Sequence, residues 1–233
     1  MSDGLHWGQG GPGVLLLHGF TGTPEDLRPF GEALGAAGYR AAAPWLAGHG
    51  QGPEALGRTS AGDWRRGAEL ALMQLVEQGC PAVAVLGLSL GGMLALDLAA
   101  RFPVGAVVCV NPAAGVRRRA AAAAPYLWRL VAYVPTGPGP DDRLSVRAVA
   151  ELLRAQRDAA ALAPEVKAPA LVLQSRHDPT VRPEAARRLF ERIGSRKKEF
   201  EMLLSREHVP QVDAEAFVRR AAPFLAEALG GAK

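Results

Sequence analysis

Ala82-Val-Ala-Val-Leu-Gly-Leu-Ser-Leu-Gly-Gly92 is the stretch that decides the fold. Residues 82–86 form an unbroken apolar run, the mark of a strand buried on both faces. Residues 93–100 behind it are helix formers. Between them stands Gly87-Leu88-Ser89-Leu90-Gly91, a G-x-S-x-G. Where a strand turns directly into a helix, the serine occupies strained backbone. Side chains two positions away would collide with neighbouring backbone, so glycine stands there. The turn lifts the Ser89 hydroxyl over the carboxyl end of the sheet, at the positive N-terminus of the helix. A chain with 27 glycines in 233 residues can produce the pattern by chance. The flanking strand, the flanking helix and the additional Gly92 argue against chance.

Outward from this turn the same alternation repeats. Residues 14–18, 39–43, 104–110, 170–174 and 200–204 read as strands. Helical patterns follow from Thr23-Pro24-Glu25, through Trp64, Leu70, Leu72 and Leu75, and after Asp213. Apolar strands alternating with helices define an α/β protein with a mostly parallel central sheet and helices on both faces. The alternation breaks once, between Pro112 and Pro164, where no strand is evident. An Ala-rich stretch (120–131), a Thr136-Gly-Pro-Gly-Pro turn and a helical stretch (144–162) stand there instead. The expected organisation is a core of residues 1–111 and 166–233, with 112–165 a small helical cap insertion at the carboxyl edge, where open α/β sheets bind ligands.

Composition narrows the function classes. There are 43 Ala, 27 Gly, 23 Arg and 18 Pro, against four Lys, one Asn and one Ile. A G/C-rich codon bias accounts for most of that skew. At 48% apolar and 21% charged residues the chain is an ordinary globular one. The net charge of +4 is scattered, and its densest runs (117–119 and 196–198) are three residues long without interleaved aromatics. They read as solvated faces, and no nucleic-acid partner is expected. Gly8-Gln-Gly10-Gly-Pro-Gly13 matches a dinucleotide fingerprint by letter, but it precedes a strand instead of following one, and reads as a loop. Cys80 and Cys109 have no metal-like spacing and read as free thiols, which fits a cytoplasmic protein. The opening MSDGLHWGQGG lacks the pattern of a secretory leader. No apolar run approaches the roughly 20 residues of a membrane span, so no stable membrane insertion is expected.

A serine hydroxyl needs a base to become a nucleophile, and after a turn of this type the partners follow in the order Ser, acid, His. Only His177 and His208 lie beyond Ser89. His177 adjoins Asp178 and has no acid before it at a strand end. His208 sits in a short loop between the last strand and the last helix, and elimination leaves it as the base. Among the acids, Asp97 belongs to the helix of the nucleophile, while Asp141, Asp142 and Asp158 fall in the insertion. Asp178 stands at the carboxyl end of the 170–174 strand, where it can orient His208. Backbone N–H groups for an oxyanion are expected from Leu90 and from Phe20, in the His18-Gly19-Phe20-Thr21-Gly22 loop. His18 and His49 are expected to brace loops.

Leu15-Leu-Leu-His-Gly-Phe-Thr-Gly22, Ala43-Pro-Trp-Leu-Ala-Gly-His-Gly50, Asp63-Trp64, Gly87-Leu-Ser-Leu-Gly-Gly92, Ala168-Pro-Ala-Leu-Val-Leu-Gln-Ser-Arg-His-Asp178 and His208-Val209 occur in the order seen in bacterial carboxylesterases of the α/β-hydrolase fold. The chain resembles the small thermostable carboxylesterases that are grouped with monoacylglycerol lipases. The resemblance runs from about residue 14 to 229 and is weakest across 113–165. It implies Ser89 as nucleophile, Asp178 as acid, His208 as base, and the Phe20 and Leu90 amides as oxyanion hole, with no cofactor and no metal. The expected substrate is a small-molecule ester with a short to medium acyl chain. Monoacylglycerol lipase, thioesterase or acyltransferase activity on the same triad, or a non-catalytic small-ligand receptor, are the alternatives. Dehalogenases and epoxide hydrolases of this fold carry Asp where Ser89 stands. A monomer or weak homo-oligomer is expected. Where such relatives often have Ser-Gly-His-Val, this chain has Arg206-Glu-His-Val209, which sets a carboxylate beside the base.

Overall fold

The computed structural model describes residues 4–116, 123–138 and 142–230. Its strands are β1 (Leu5–Trp7), β2 (Gly13–Leu17), β3 (Arg40–Ala43), β4 (Val83–Leu88), β5 (Ala106–Val110), β6 (Tyr133–Pro135), β7 (Arg143–Ser145), β8 (Ala170–Ser175) and β9 (Lys198–Leu203). Seven of them make one sheet in the order β1-β3-β2-β4-β5-β8-β9. All neighbours in it are parallel except β1, which runs antiparallel to β3 along the edge. Every residue of β2, β4, β5 and β8 is buried, as continuous apolar strands between two helical layers must be.

The helices are α1 (Arg28–Ala36), α2 (Gly52–Gly57), α3 (Ala61–Glu77), α4 (Leu90–Arg101), α5 (Ala124–Leu127), α6 (Val146–Leu162), α7 (Pro183–Arg192) and α8 (Ala214–Ala228). Because side chains alternate along a strand, the sheet divides its apolar residues between two cores. Val14, Leu16, Leu86, Val108 and Leu171 pack with Phe30 of α1 and with Phe217 and Leu225 of α8. Leu15, Leu17, Val85, Val107 and Val172 pack with Trp64 of α3, Leu98 of α4 and Leu152 of α6. Each large side chain buried in this way contributes about 1.5–3 kcal/mol. Helix α3 starts at a reciprocal cap: Ser60 Oγ accepts from the Asp63 amide at 3.2 Å, and Asp63 Oδ2 accepts from the Ser60 amide at 2.8 Å.

The structure adds elements that the sequence pattern hides. β1 is too short to show a period. In α7 only Pro183, Ala185, Ala186 and Leu189 are buried, so charged residues mask its apolar stripe. Between β5 and β8 the expectation of no strand fails, because β6 and β7 pair as an antiparallel hairpin. Each has three residues and β6 ends at Pro135, which reads as a breaker but is tolerated on a strand that has a partner on one side only. Four parts of the sequence reading lie outside the described residues: the basic run at 117–119, residues 120–122 of the Ala-rich stretch, residues 139–140 of the turn and the candidate acid Asp141. Of that Ala-rich stretch, residues 124–127 are helical, and the 144–162 stretch becomes α6 after one strand turn. Among the described residues no helix is long and apolar enough to cross a membrane.

Candidate active site

Five strands end at the same edge of the sheet, and each delivers a polar residue there. His18 follows β2, Ser89 follows β4, Asn111 follows β5, Asp178 lies three residues past β8, and His208 lies five past β9. The register makes them neighbours: Leu17 pairs with Gly87, Leu88 with Val110, and Ser175 with Leu203.

Ser89 adopts φ 55° and ψ −111° at the N-terminus of α4. For a residue with a side chain this is stored strain, held by hydrogen bonds on both sides. Its amide donates to the Val110 carbonyl at 2.9 Å, and its carbonyl accepts from the Ala113 amide at 3.1 Å. The glycines do what the turn requires. A Cβ on Gly87 would run into the Gly91 backbone, and one on Gly91 into the Leu17 carbonyl.

The Ser89 hydroxyl donates to His208 Nε2 at 2.8 Å, and His208 Nδ1 donates to Asp178 Oδ2 at 2.8 Å. This assignment of protons follows from the partners: a carboxylate only accepts, so Nδ1 carries the hydrogen and Nε2 is free to accept. Burial alone would raise the Asp178 carboxyl. The His208 hydrogen bond and charge, together with the Val181 and Thr180 amides, outweigh it and hold the group below the usual carboxylate range. Those amides reach Asp178 Oδ1 at 2.8 and 2.7 Å. Gln174 Nε2 donates to Asp178 Oδ2 at 3.3 Å. Asp178 therefore presents a fixed negative charge to the imidazole.

The loop after β2 lies directly beside this line. A Cβ on Gly19 would sit 3.4 Å from Ser89 Cβ and 4.0 Å from its Oγ. Neither the Phe20 nor the Leu90 amide donates to a protein acceptor among the described residues. His18 braces the loop: its Nδ1 donates to the Gly19 carbonyl at 3.0 Å, and its Nε2 accepts from the Leu46 amide at 3.2 Å. Burial and the neighbouring His49 lower its pKa to about 3, so it stays neutral. His49 donates to the Ala47 carbonyl at 3.1 Å and packs edge-on to His18, Phe20 and Trp64.

Two further residues gather here that the sequence reading did not single out, Asn111 and Gln174. Asn111 had one usable signal, a polar residue at the carboxyl end of an apolar strand. Glu207 does not turn toward the base. Its carboxylate accepts from the Gln211, Val212 and Asp213 amides, each at 3.0 Å, just ahead of α8. It ties the histidine loop to the start of that helix.

A doubly covered parallel sheet with a serine on a strained strand-to-helix turn, bonded to a histidine and an aspartate, defines a hydrolase of the α/β class. The sequence profile of the alpha/beta hydrolase family matches residues 14–220, and the chain belongs to that family. It is 33% identical over 237 residues to the thermostable monoacylglycerol lipase of Bacillus sp. (strain H-257), covering 96% of this chain and 94% of that one. Over 99 residues, 42% of this chain and 40% of the relative, it is 40% identical to a carboxylesterase of Bacillus subtilis (strain 168). A solved structure reported with the metagenome-derived lipolytic enzymes LipS and LipT superimposes with a TM-score of 0.89 at 31% identity, over 97% of this chain and 98% of the other.

Proposed function

We propose that the protein is a carboxylic ester hydrolase that works through an acyl-enzyme on Ser89. The observation that carries this reading is the unbroken hydrogen-bonded line from Ser89 through His208 to Asp178. His208 Nε2 takes the Ser89 proton as Oγ attacks the ester carbonyl, then hands it to the departing alkoxide. Asp178 stabilises the imidazolium formed in between. The Phe20 and Leu90 amides receive the charge that develops on the carbonyl oxygen. Water, deprotonated by the same imidazole, then releases the acid and restores Ser89.

The substrates on this reading are esters of short- to medium-chain acids, with residues 112–165 acting as a cap over the core of 1–111 and 166–233. Apolar side chains of that segment meet the oxyanion loop, for Trp128, Val146 and Val149 share a cluster with Phe20. A monoacylglycerol as natural substrate is favoured by the full-length match to the Bacillus lipase. The unbridged Cys80 and Cys109 fit a reducing compartment, the cytoplasm, and we expect a monomer or weak homo-oligomer there.

Replacing Ser89 with Ala tests the reading. Hydrolysis of p-nitrophenyl esters should fall to the background rate and labelling by a fluorophosphonate should disappear. A variant that keeps most of either would overturn it. Parallel panels of monoacylglycerols, p-nitrophenyl esters and acyl-CoA thioesters then rank the leaving groups.

A further inference from the structure

We propose that Asn111 is the positioning residue of the site: its side-chain amide holds the backbone of the His208 loop at the distance at which Nε2 meets Ser89. The proposal rests on the reading of His208 as base and adds a residue to it. Asn111 is the single asparagine of the chain, is completely buried, and sits at the end of β5 with φ 44°, a left-handed conformation that asparagine tolerates better than most residues. A buried amide must find partners for both its ends, and this one finds them in the two segments that carry Asp178 and His208.

Oδ1 accepts from the Ser175 amide at 2.6 Å, at the last residue of β8. Nδ2 faces the Ser175 hydroxyl at 3.1 Å and the carbonyls of Glu207 and His208 at 3.3 and 2.7 Å. The Ser175 hydroxyl itself donates to the Glu207 carbonyl at 2.6 Å. The main chain of Asn111 is anchored in turn, its amide donating to the Leu173 carbonyl at 2.8 Å. One side chain therefore joins the end of β5, the end of β8 and both peptide carbonyls around the histidine. β5 is also the strand whose Val110 carbonyl takes the Ser89 amide. Asn111 thus ties the backbone that carries the base to the backbone that carries the nucleophile. It touches no reacting atom, and its whole effect must pass through His208.

Hydrolysis needs Nε2 at hydrogen-bond distance from Oγ, and a shift of about 1 Å is enough to cost ~100-fold. Loss of the amide should therefore appear in the acylation step and not in substrate binding. Two variants test this. Asn111→Gly removes the amide but suits the left-handed backbone, and Asn111→Asp keeps the shape and the Ser175 contact but loses the NH2 that faces the two carbonyls. In both, kcat on p-nitrophenyl butyrate should drop at least tenfold with KM within about twofold, and the rate of fluorophosphonate labelling should drop in parallel. In a His208→Ala background the same substitutions should change the residual rate by less than twofold, because the group they act through is gone.

A merely structural role predicts the opposite, a loss of similar size with or without His208. That result, or a folded Asn111 variant with more than half the wild-type kcat, would overturn the proposal. If one variant fails to fold, the other carries the same comparison. If both fail, Ser175→Ala, which cuts the Glu207 carbonyl from its hydroxyl donor, must lower kcat about threefold or more at unchanged KM, or the proposal falls. Activity retained in His208→Ala alone would instead overturn the assignment of the base.

Discussion

At the scale of single residues, the site rests on side chains whose protonation the fold dictates. His18 is the sharpest case. Folded, it stays neutral down to about pH 3, whereas in the unfolded chain it takes up a proton below about pH 6.5. The unfolded state therefore binds more protons between those values, and stability falls as pH falls through that window. At pH 5 the cost is ~2 kcal/mol relative to neutral pH. Urea unfolding at pH 7.5 and pH 5 should show this drop in the wild type and a smaller one in His18→Gln; equal drops would remove His18 as the cause. Asp178→Asn addresses the other end of the site. An amide leaves no fixed charge for the imidazolium and invites the wrong tautomer, so kcat should fall by about 10³–10⁴ while the fold persists. Ser89, Asp178 and His208 were legible in the sequence because each stands at or after the carboxyl end of a strand, in a fixed chain order. Asn111 and Gln174 were not, since their roles lie in which distant backbone atoms they face, and no spacing encodes that.

At the scale of elements, the turn between β4 and α4 was readable because its chemistry demands particular letters. Gly91 has the Leu17 carbonyl where a Cβ would be. Leu17 ends the strand that leads into the Gly19-Phe20 loop, so the clash couples the turn at Ser89 to that loop. Gly91→Ala should therefore lower stability by more than the propensity gain of alanine in a helix and cut kcat severely, both measurable by thermal unfolding and ester turnover. An active, stable Gly91→Ala protein would show that the two segments give way freely. Helix α3 offers a milder test of local wording. Its Ser60–Asp63 cap closes two backbone donors, and Ser60→Ala should cost about 1 kcal/mol, a Tm loss of about 2–4 °C, without touching activity. Long buried strands were legible because their apolar pattern repeats, whereas Asp213, which reads as a helix cap, makes no side-chain capping hydrogen bond at the start of α8. β1, β6 and β7, with three residues each, carry no period, and their existence depends on a partner strand that the local sequence does not reveal.

At the scale of the molecule, one aromatic ring links the two parts that the sequence separated. Phe20 packs on the main core, edge-on to Trp64 with ring centroids 5.9 Å apart, and also on the cluster of Ala124, Val146 and Val149 beside Trp128. The residue proposed to offer an oxyanion amide is thus wedged between the main core and the cluster of Ala124, Val146 and Val149. Tyr126, Leu127 and Leu130 of the same segment point outward, more than two-fifths exposed, whereas Ala124, Val146 and Val149 turn in. An acyl chain leaving Ser89 on this side would run along Phe20 toward Trp128. Trp128 is itself held by the guanidinium groups of Arg129 and Arg147, 5.2 and 5.6 Å from its ring centroid. Truncating it should remove wall from the far end of that path and leave the near end intact. For Trp128→Ala, kcat/KM on p-nitrophenyl acetate should stay within about twofold of wild type, while on the octanoate it should fall about tenfold, close to the 1–3 kcal/mol that a few methylenes are worth in a pocket. Equal losses on both esters would mean that Trp128 supports Phe20 and the oxyanion loop, and an unchanged octanoate rate would send the acyl chain down another face of the insertion.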